Sequence, residues 1–168
     1  MICRLLIEPL RAEHLRELAT YLLHPEVYEH IGGLPSFEDF VLDREIALRG
    51  PSMEAGHERW LNFLVRDESS RQMLGRLEAT LHDSIAEVAF LFSPKHWGKG
   101  IASEALAWLH REVQDAYGFT SFWATTIPAN ARCQSLLLRA GYQQVRAERP
   151  VLYSFEEGDL VFHLRASS

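Results

Sequence analysis

The chain has 168 residues, enough for one well-cored domain and short for two. Its apolar share of 47% and charged share of 24% are ordinary for a globular protein, and a net charge of −6 argues against a nucleic-acid binder or a basic membrane-surface protein. Two cysteines, Cys3 and Cys133, are too few for a disulfide framework or a zinc site, and the eight histidines lack metal-ligand spacing, so no metal is expected. The first residues lack secretory-signal grammar and no apolar run approaches membrane-spanning length, which makes a reducing, cytoplasmic setting the expectation.

In chain order, residues 2–8 read as a strand closed by Pro9, and Leu15, Leu18, Ala19 and Leu22 give residues 11–23 a helical period. Gly32, Gly33 and Pro35 break the pattern, and Ser36 followed by Glu38 and Asp39 opens a second helix running to about residue 48. Residues 51–58 form a surface loop. Residues 60–66, 72–81 and 85–92 are three strands joined by polar turns at 67–70 and 82–84. Residues 103–117 are an amphipathic helix stopped by Gly118, and residues 120–127 a β-branched and aromatic strand ended by Pro128. Asn130 caps a short helix that Gly141 terminates, and two strands near 142–147 and 159–164 finish the chain. With no internal repeat and no low-complexity linker, this order predicts one mixed α/β domain over residues 1–168.

The densest chemistry lies between the third of those strands and the helix after it, in Ser93-Pro94-Lys95-His96-Trp97-Gly98-Lys99-Gly100-Ile101-Ala102-Ser103. Two glycines around one lysine at a strand-to-helix turn leave backbone N–H groups unshielded, and the next helix adds its own free N–H groups and positive dipole end. The chain's only lysines, Lys95 and Lys99, fall here, so a polyanionic ligand is expected. A nucleotide-triphosphatase loop would need Ser or Thr after Gly98-Lys99, where Gly100 stands. A dinucleotide fingerprint would need a third glycine where Ser103 stands.

Trp97-Gly98-Lys99-Gly100-Ile101-Ala102 instead resembles the acyl-CoA loop of the GNAT acetyltransferases, Gln/Arg-x-x-Gly-x-Gly/Ala, with Trp97 where Gln or Arg is usual. That departure is similar to the branch of ribosomal-protein serine/alanine N-terminal acetyltransferases. Three further segments resemble the same branch: His24-Pro25-Glu26-Val27-Tyr28 with Ile31-Gly32-Gly33, Ala86-Glu87-Val88-Ala89-Phe90, and Asn130-Ala131-Arg132-Cys133 followed by Gly141-Tyr142. The resemblance spans nearly the whole chain. It implies a single-domain GNAT fold, a mixed and mostly antiparallel central sheet flanked by helices, with a splayed pair of central strands.

It also implies roles. Trp97, Gly98, Lys99, Gly100, Ile101, Ala102 and Ser103 would cradle the CoA phosphates, with a mere tight turn as the alternative. Backbone groups of Phe90, Leu91 and Phe92 would pair with the pantetheine arm and the thioester oxygen. Glu87 interrupts an apolar strand where the thioester should lie, which makes it the first candidate base. The alternative is a solvated or arginine-paired strand-end carboxylate. Glu78 is the reserve base, and Glu104 reads as a dipole partner in the first helical turn. Asn130 would cap its helix and touch the pantetheine arm. Cys133, where the family usually has serine, is either a proton donor to the leaving thiolate or an apolar filler of its helix face. Arg132 and Arg139 are in reach of CoA phosphates or simply solvated. His24, Glu26, Tyr28, Glu29 and His30 border the acceptor site or decorate a surface.

The expected activity is acetyl transfer from acetyl-CoA to a primary amine, a protein N-terminus or a small molecule, by direct attack. The alternative is a non-catalytic acyl-CoA-binding sensor or docking module of the same fold. The expected partners are acetyl-CoA and the amine, with a homodimer allowed for and neither nucleic acid nor membrane.

Overall fold

A computed structural model describes residues 4–167; Ile2 and Cys3, in the expected first strand, lie outside the described residues. Strand β1 (Leu5–Pro9) leads into α1 (Leu15–Leu22), the one-turn α2 (Pro25–Tyr28) and α3 (Phe37–Arg49). Strands β2 (Arg59–Asp67), β3 (Met73–His82) and β4 (Ile85–Phe92) form a meander. Then come α4 (Ile101–Tyr117), β5 (Ser121–Thr126), α5 (Ala131–Arg139), β6 (Gln143–Val145) and β7 (Leu160–Arg165). The seven strands make one sheet in the order β1-β2-β3-β4-β5-β7-β6, antiparallel throughout except for the parallel β4–β5 pair.

Period-two alternation assigns the two faces of the sheet. Leu77, Ala79 and Leu81 of β3 and Ala86, Val88 and Phe92 of β4 pack on α4, which buries Ala105, Leu106, Leu109 and Val113. Leu64 and Met73 meet Leu15, Leu18, Leu22 and Phe40 of α1 and α3 on the other face. Arg76, Glu78 and Glu87, the odd polar residues of these strands, alternate with the residues packed on α4. The β2–β3 register shifts between Val65 and Arg66, and on the other side of β3 Gly75 lies opposite Phe92. A side chain on Gly75 would put its Cβ 2.3 Å from the Leu91 carbonyl oxygen, so only glycine lets β3 lie this close to β4.

The expected order of elements is met, with three local differences. Four residues are too few for periodicity to reveal α2; it is nucleated by Pro25 at its first position and by the His24 ring, whose Nδ1 accepts from Glu26 N at 3.2 Å. Helix α4 starts at Ile101 instead of Ser103, because Gly100 in the left-handed region (φ 77°) serves as its N-cap. Strand β6 is three residues, not six, and pairs only with β7. No helix among the described residues is long and apolar enough to cross a membrane.

Candidate active site

Strands β4 and β5 hold register at only two positions, Ala86↔Phe122 and Glu87↔Trp123. Beyond them the strands part, and the β5-facing backbone of residues 88–92 has no strand partner. A cleft of about 1070 Å³ opens in this gap, running from the loop before α4 to the segments around Glu26 and Ser154. Phe90, Leu91 and Phe92 line it from one side and Thr125, Thr126 and Ile127 from the other. The splay follows from two different ladders: β4 stays paired to β3 through Phe92, whereas β5 follows the antiparallel β7.

At one end Gly98 and Gly100 both have left-handed backbones (φ 75° and 77°), and a Cβ at either would project into open space. No side chain caps α4, in contrast to Ser36 on α3 and Asn130 on α5, so its first-turn N–H groups are free to bind an anion. His96, Trp97, Gly98, Gly100, Ile101, Ala102 and Ser103 line the cleft, and Glu104 occupies the first turn of α4. Lys95 and Lys99 are exposed and outside this lining. The cation at the wall is Arg132, whose guanidinium sits 3.6 Å over the Trp97 ring, itself fixed by an Nε1–H bond to the Phe92 carbonyl at 3.0 Å. Trp97 thereby positions an arginine at the place where the loop lacks one. Arg139 also lines the cleft.

Asn130 Oδ1 accepts from Cys133 N at 3.1 Å, which caps α5. The half-buried Cys133 faces the same cleft, and its thiol is pushed up by burial, an effect that a hydrogen bond with Thr126 partly offsets.

The two candidate bases have very different surroundings. Glu78 lines the cleft but is ion-paired to Arg44 and, at 2.6 Å, to Arg76. Burial pushes its carboxyl up, yet the Arg76 and Arg44 charges overcome this and hold it at about 2. Glu87 is buried and does not line the cleft. It is neither solvated nor arginine-paired: Oε1 accepts from Ser154 Oγ (2.6 Å) and Ser154 N (3.0 Å), Oε2 from Tyr153 N (2.8 Å), and His82 Nε2 lies 2.5 Å from Oε2. Burial raises the Glu87 carboxyl, but the bonds from Ser154, Tyr153 and His82 outweigh it and lower it.

Glu26, Glu29 and His30 line the cleft, whereas His24 caps α2 and Tyr28 lies beside the Arg44–Glu78–Arg76 cluster. Arg76, Ser154 and Thr126 belong to the site without having been singled out in the sequence. Ser154 sits in the long β6–β7 loop, residues 146–159, which carries no motif. Arg76 alternates with apolar residues on a strand, a pattern that equally suits an exposed arginine. Among the described residues no group of three or more metal-binding side chains is assembled.

The residues present fit acetyl-CoA. Strands that part beside an uncapped helix and two left-handed glycines make a slot for an extended, peptide-like arm that ends in phosphates. Comparison with known proteins agrees. A family model described as an acetyltransferase (GNAT) domain matches residues 4–143, and the chain belongs to this family, whose members transfer acyl groups from acetyl-CoA to amines. No curated protein matches the chain significantly. Solved structures share the fold. An acetyl transferase from Salmonella typhimurium that modifies the N-terminal serine of ribosomal protein L7/L12 is 14% identical, covering 97% of this chain and 95% of that one with a TM-score of 0.77. Aminoglycoside acetyltransferase AAC(6')-Ib in complex with coenzyme A is 12% identical, with coverages of 97% and 95% and a TM-score of 0.76. A GNAT-family acetyltransferase from Bacillus anthracis is 19% identical, with coverages of 97% and 96% and a TM-score of 0.72.

Proposed function

We propose that residues 1–168 act as one N-acetyltransferase domain that moves the acetyl group of acetyl-CoA to a primary amine by direct attack. The observation that carries this reading is the single cleft joining the unpaired backbone of residues 88–92 to the uncapped start of α4. Backbone N–H groups of Phe90 and Phe92, which flank Leu91 and face away from β3, would orient the pantetheine arm and polarise the thioester carbonyl, a kind of contribution worth about 3 kcal/mol of barrier. The turn from Trp97 to Ser103, with Arg132 above Trp97, would hold the phosphates.

Glu87 is proposed as the base, because the two arginines on Glu78 leave that carboxyl, at about 2, too weak to take an amine proton. Cys133, whose thiol is pushed up by burial, keeps its proton near neutral pH, so the proton is present to pass to the departing thiolate and little thiolate forms to attack the thioester. No acyl-enzyme is therefore proposed. An α-amino group, with a pKa of about 7.7–8.0, is already partly neutral near pH 7 and needs less of a weakened base than a lysine at about 10.4. That favours a protein N-terminus or an amine of similar basicity, in keeping with the serine-modifying relative of the same fold. A reducing, cytoplasmic setting, which keeps Cys133 a thiol beside the thioester, belongs to the same proposal.

The test is CoA release from acetyl-CoA with a panel of peptides bearing free Ser, Ala or Met termini, lysine peptides, spermidine and kanamycin. Gly100→Val accompanies it, since valine at φ 77° is strained and its side chain would fill the phosphate cradle. Turnover of at least one amine and a tenfold or greater loss of acetyl-CoA affinity in the folded variant, by calorimetry, are expected. Tight acetyl-CoA binding without turnover of any amine would instead identify a binding module.

A further inference from the structure

The carboxylate proposed as base is sealed away from the cleft, yet one of its hydrogen-bond donors is not. The four contacts on Glu87 fill both lone-pair sites of each oxygen, so a proton can reach it only by way of a donor already there. Two of the donors are the backbone N–H groups of Tyr153 and Ser154, which have no proton to give. The third, His82, is buried and outside the cleft lining. The fourth is the Ser154 hydroxyl, and Ser154 forms part of the cleft wall beside Thr125. Its oxygen donates to Glu87 Oε1 at 2.6 Å and accepts from Thr125 Oγ1 at 3.0 Å, which leaves one lone pair for a donor in the cleft.

Building on the acetyltransferase reading above, we propose that Ser154 is a catalytic residue that relays the acceptor's ammonium proton to Glu87. The ammonium N–H bond breaks as its proton passes to Ser154 Oγ, and the former Oγ–H proton passes to Glu87 Oε1. The amine, now neutral, attacks the thioester carbon. The N–C bond forms, the C–S bond breaks, the Cys133 thiol gives its proton to the leaving thiolate, which departs as CoA thiol, and the second nitrogen proton replaces it on Cys133. After the amide departs, Glu87 returns its proton through Ser154 to water in the cleft, so the net reaction releases one proton.

The rest of the cluster is positioning. His82 Nδ1 lies 2.9 Å from the exposed Asp83 carboxylate, and Tyr153 stacks on the His82 ring at 3.8 Å. Clamped between two carboxylates, His82 is held protonated beyond its usual range despite burial and keeps Oε2 occupied, so Oε1 is the oxygen that takes the proton. The other ionisable groups around the pair are Glu58, bonded to the Tyr153 hydroxyl, and His163, stacked on Trp123 next to Glu87.

The test compares wild type with Ser154→Ala, Ser154→Gly and Ser154→Thr. For each, kcat/KM is measured from pH 6 to 10 with a peptide α-amine and with a lysine side chain as acceptors, alongside acetyl-CoA affinity by calorimetry. Ala and Gly both keep the backbone N–H to Glu87 and remove the hydroxyl, so either one that folds suffices. At pH 7 their rates should fall about 100-fold, the low end of general-base effects. The loss should be larger for the lysine acceptor and should shrink as pH rises past each acceptor's own pKa, where solvent has already removed the proton. Thr should stay within about threefold, and acetyl-CoA affinity should not change. Full activity in Ala or Gly, or a loss that is the same at every pH and for both acceptors, overturns the relay and leaves the acetyltransferase reading intact. Failure of the wild-type enzyme to turn over any amine overturns both.

Discussion

Glu78 and Glu87 occupy neighbouring strands and resemble each other in sequence, but their partners separate them. Glu78 faces two guanidinium groups with side chains only 10% and 13% exposed, so its charge is needed to balance buried cations. Glu87 is balanced by one histidine and by neutral donors, one of which can hand over a proton. Cys133 shows how a departure from the family pattern can be tested at a single atom. Its thiol lies in the cleft wall with Thr126 as partner, and protonation of the leaving thiolate is the role proposed for it. Cys133→Ser should stay within about tenfold of wild-type kcat, below about 1.4 kcal/mol, while Cys133→Ala should lose more. Intact-protein mass spectra after incubation with acetyl-CoA alone should show no acetylated cysteine. A kinetically competent adduct would replace direct transfer with an acyl-enzyme.

At the scale of elements, the site depends on β4 being held by one neighbour and released by the other. Gly75 sets the first of these. With a would-be Cβ 2.3 Å from Leu91 O and 2.9 Å from Phe92 Cα, any side chain there must push β4 away along the stretch proposed to bind the thioester. Gly75→Ala should cost about 1–3 kcal/mol, the usual range for overpacking, measured by urea unfolding. It should also weaken acetyl-CoA binding under conditions where the variant is folded. A stable variant with unchanged affinity would show that the position of Leu91 and Phe92 is not critical. The uncapped start of α4 is the complementary device. Leaving the first turn of a 17-residue helix without a side-chain cap costs stability that a bound phosphate can restore.

For the whole molecule, the clearest pH signature comes from the main core. His110 of α4 is buried against Phe122 and bonds the Tyr142 hydroxyl at 2.7 Å. Burial, reinforced by the nearby Arg111 charge, pushes it down from 6.5 to about 4. The unfolded chain therefore takes up a proton between those values that the folded chain refuses. Its contribution is fully present above pH 6.5 and is lost as pH falls toward about 4, by roughly 3 kcal/mol in all. His96 and His163 are lowered too and act in the same direction; His82 is raised, so its contribution is present below 6.5 and is lost at higher pH. Urea unfolding at pH 7 and pH 5 should show lower stability at pH 5. His110→Leu should flatten that difference while costing about 1–3 kcal/mol at pH 7 for the unpartnered Tyr142 hydroxyl. An unchanged slope in the variant would assign the acid loss to other groups.

The sequence by itself determined the order of elements and the glycine turn before α4, because these rest on local physics, and the resemblance of its motifs pointed to the family. Glycines impose left-handed backbone, period-two and helical apolar patterns choose strand or helix, and the Trp97–Ser103 spacing is read within a few residues. Tertiary structure decided what each polar group in the site is bonded to. Glu87 meets Tyr153 and Ser154 across 66 and 67 residues, Glu78 meets Arg44 across 34, and Arg132 finds Trp97 only once α5 packs beside the loop. A carboxylate's basicity depends on those partners and on its distance from water, and chain folding supplies both over separations that no local pattern encodes.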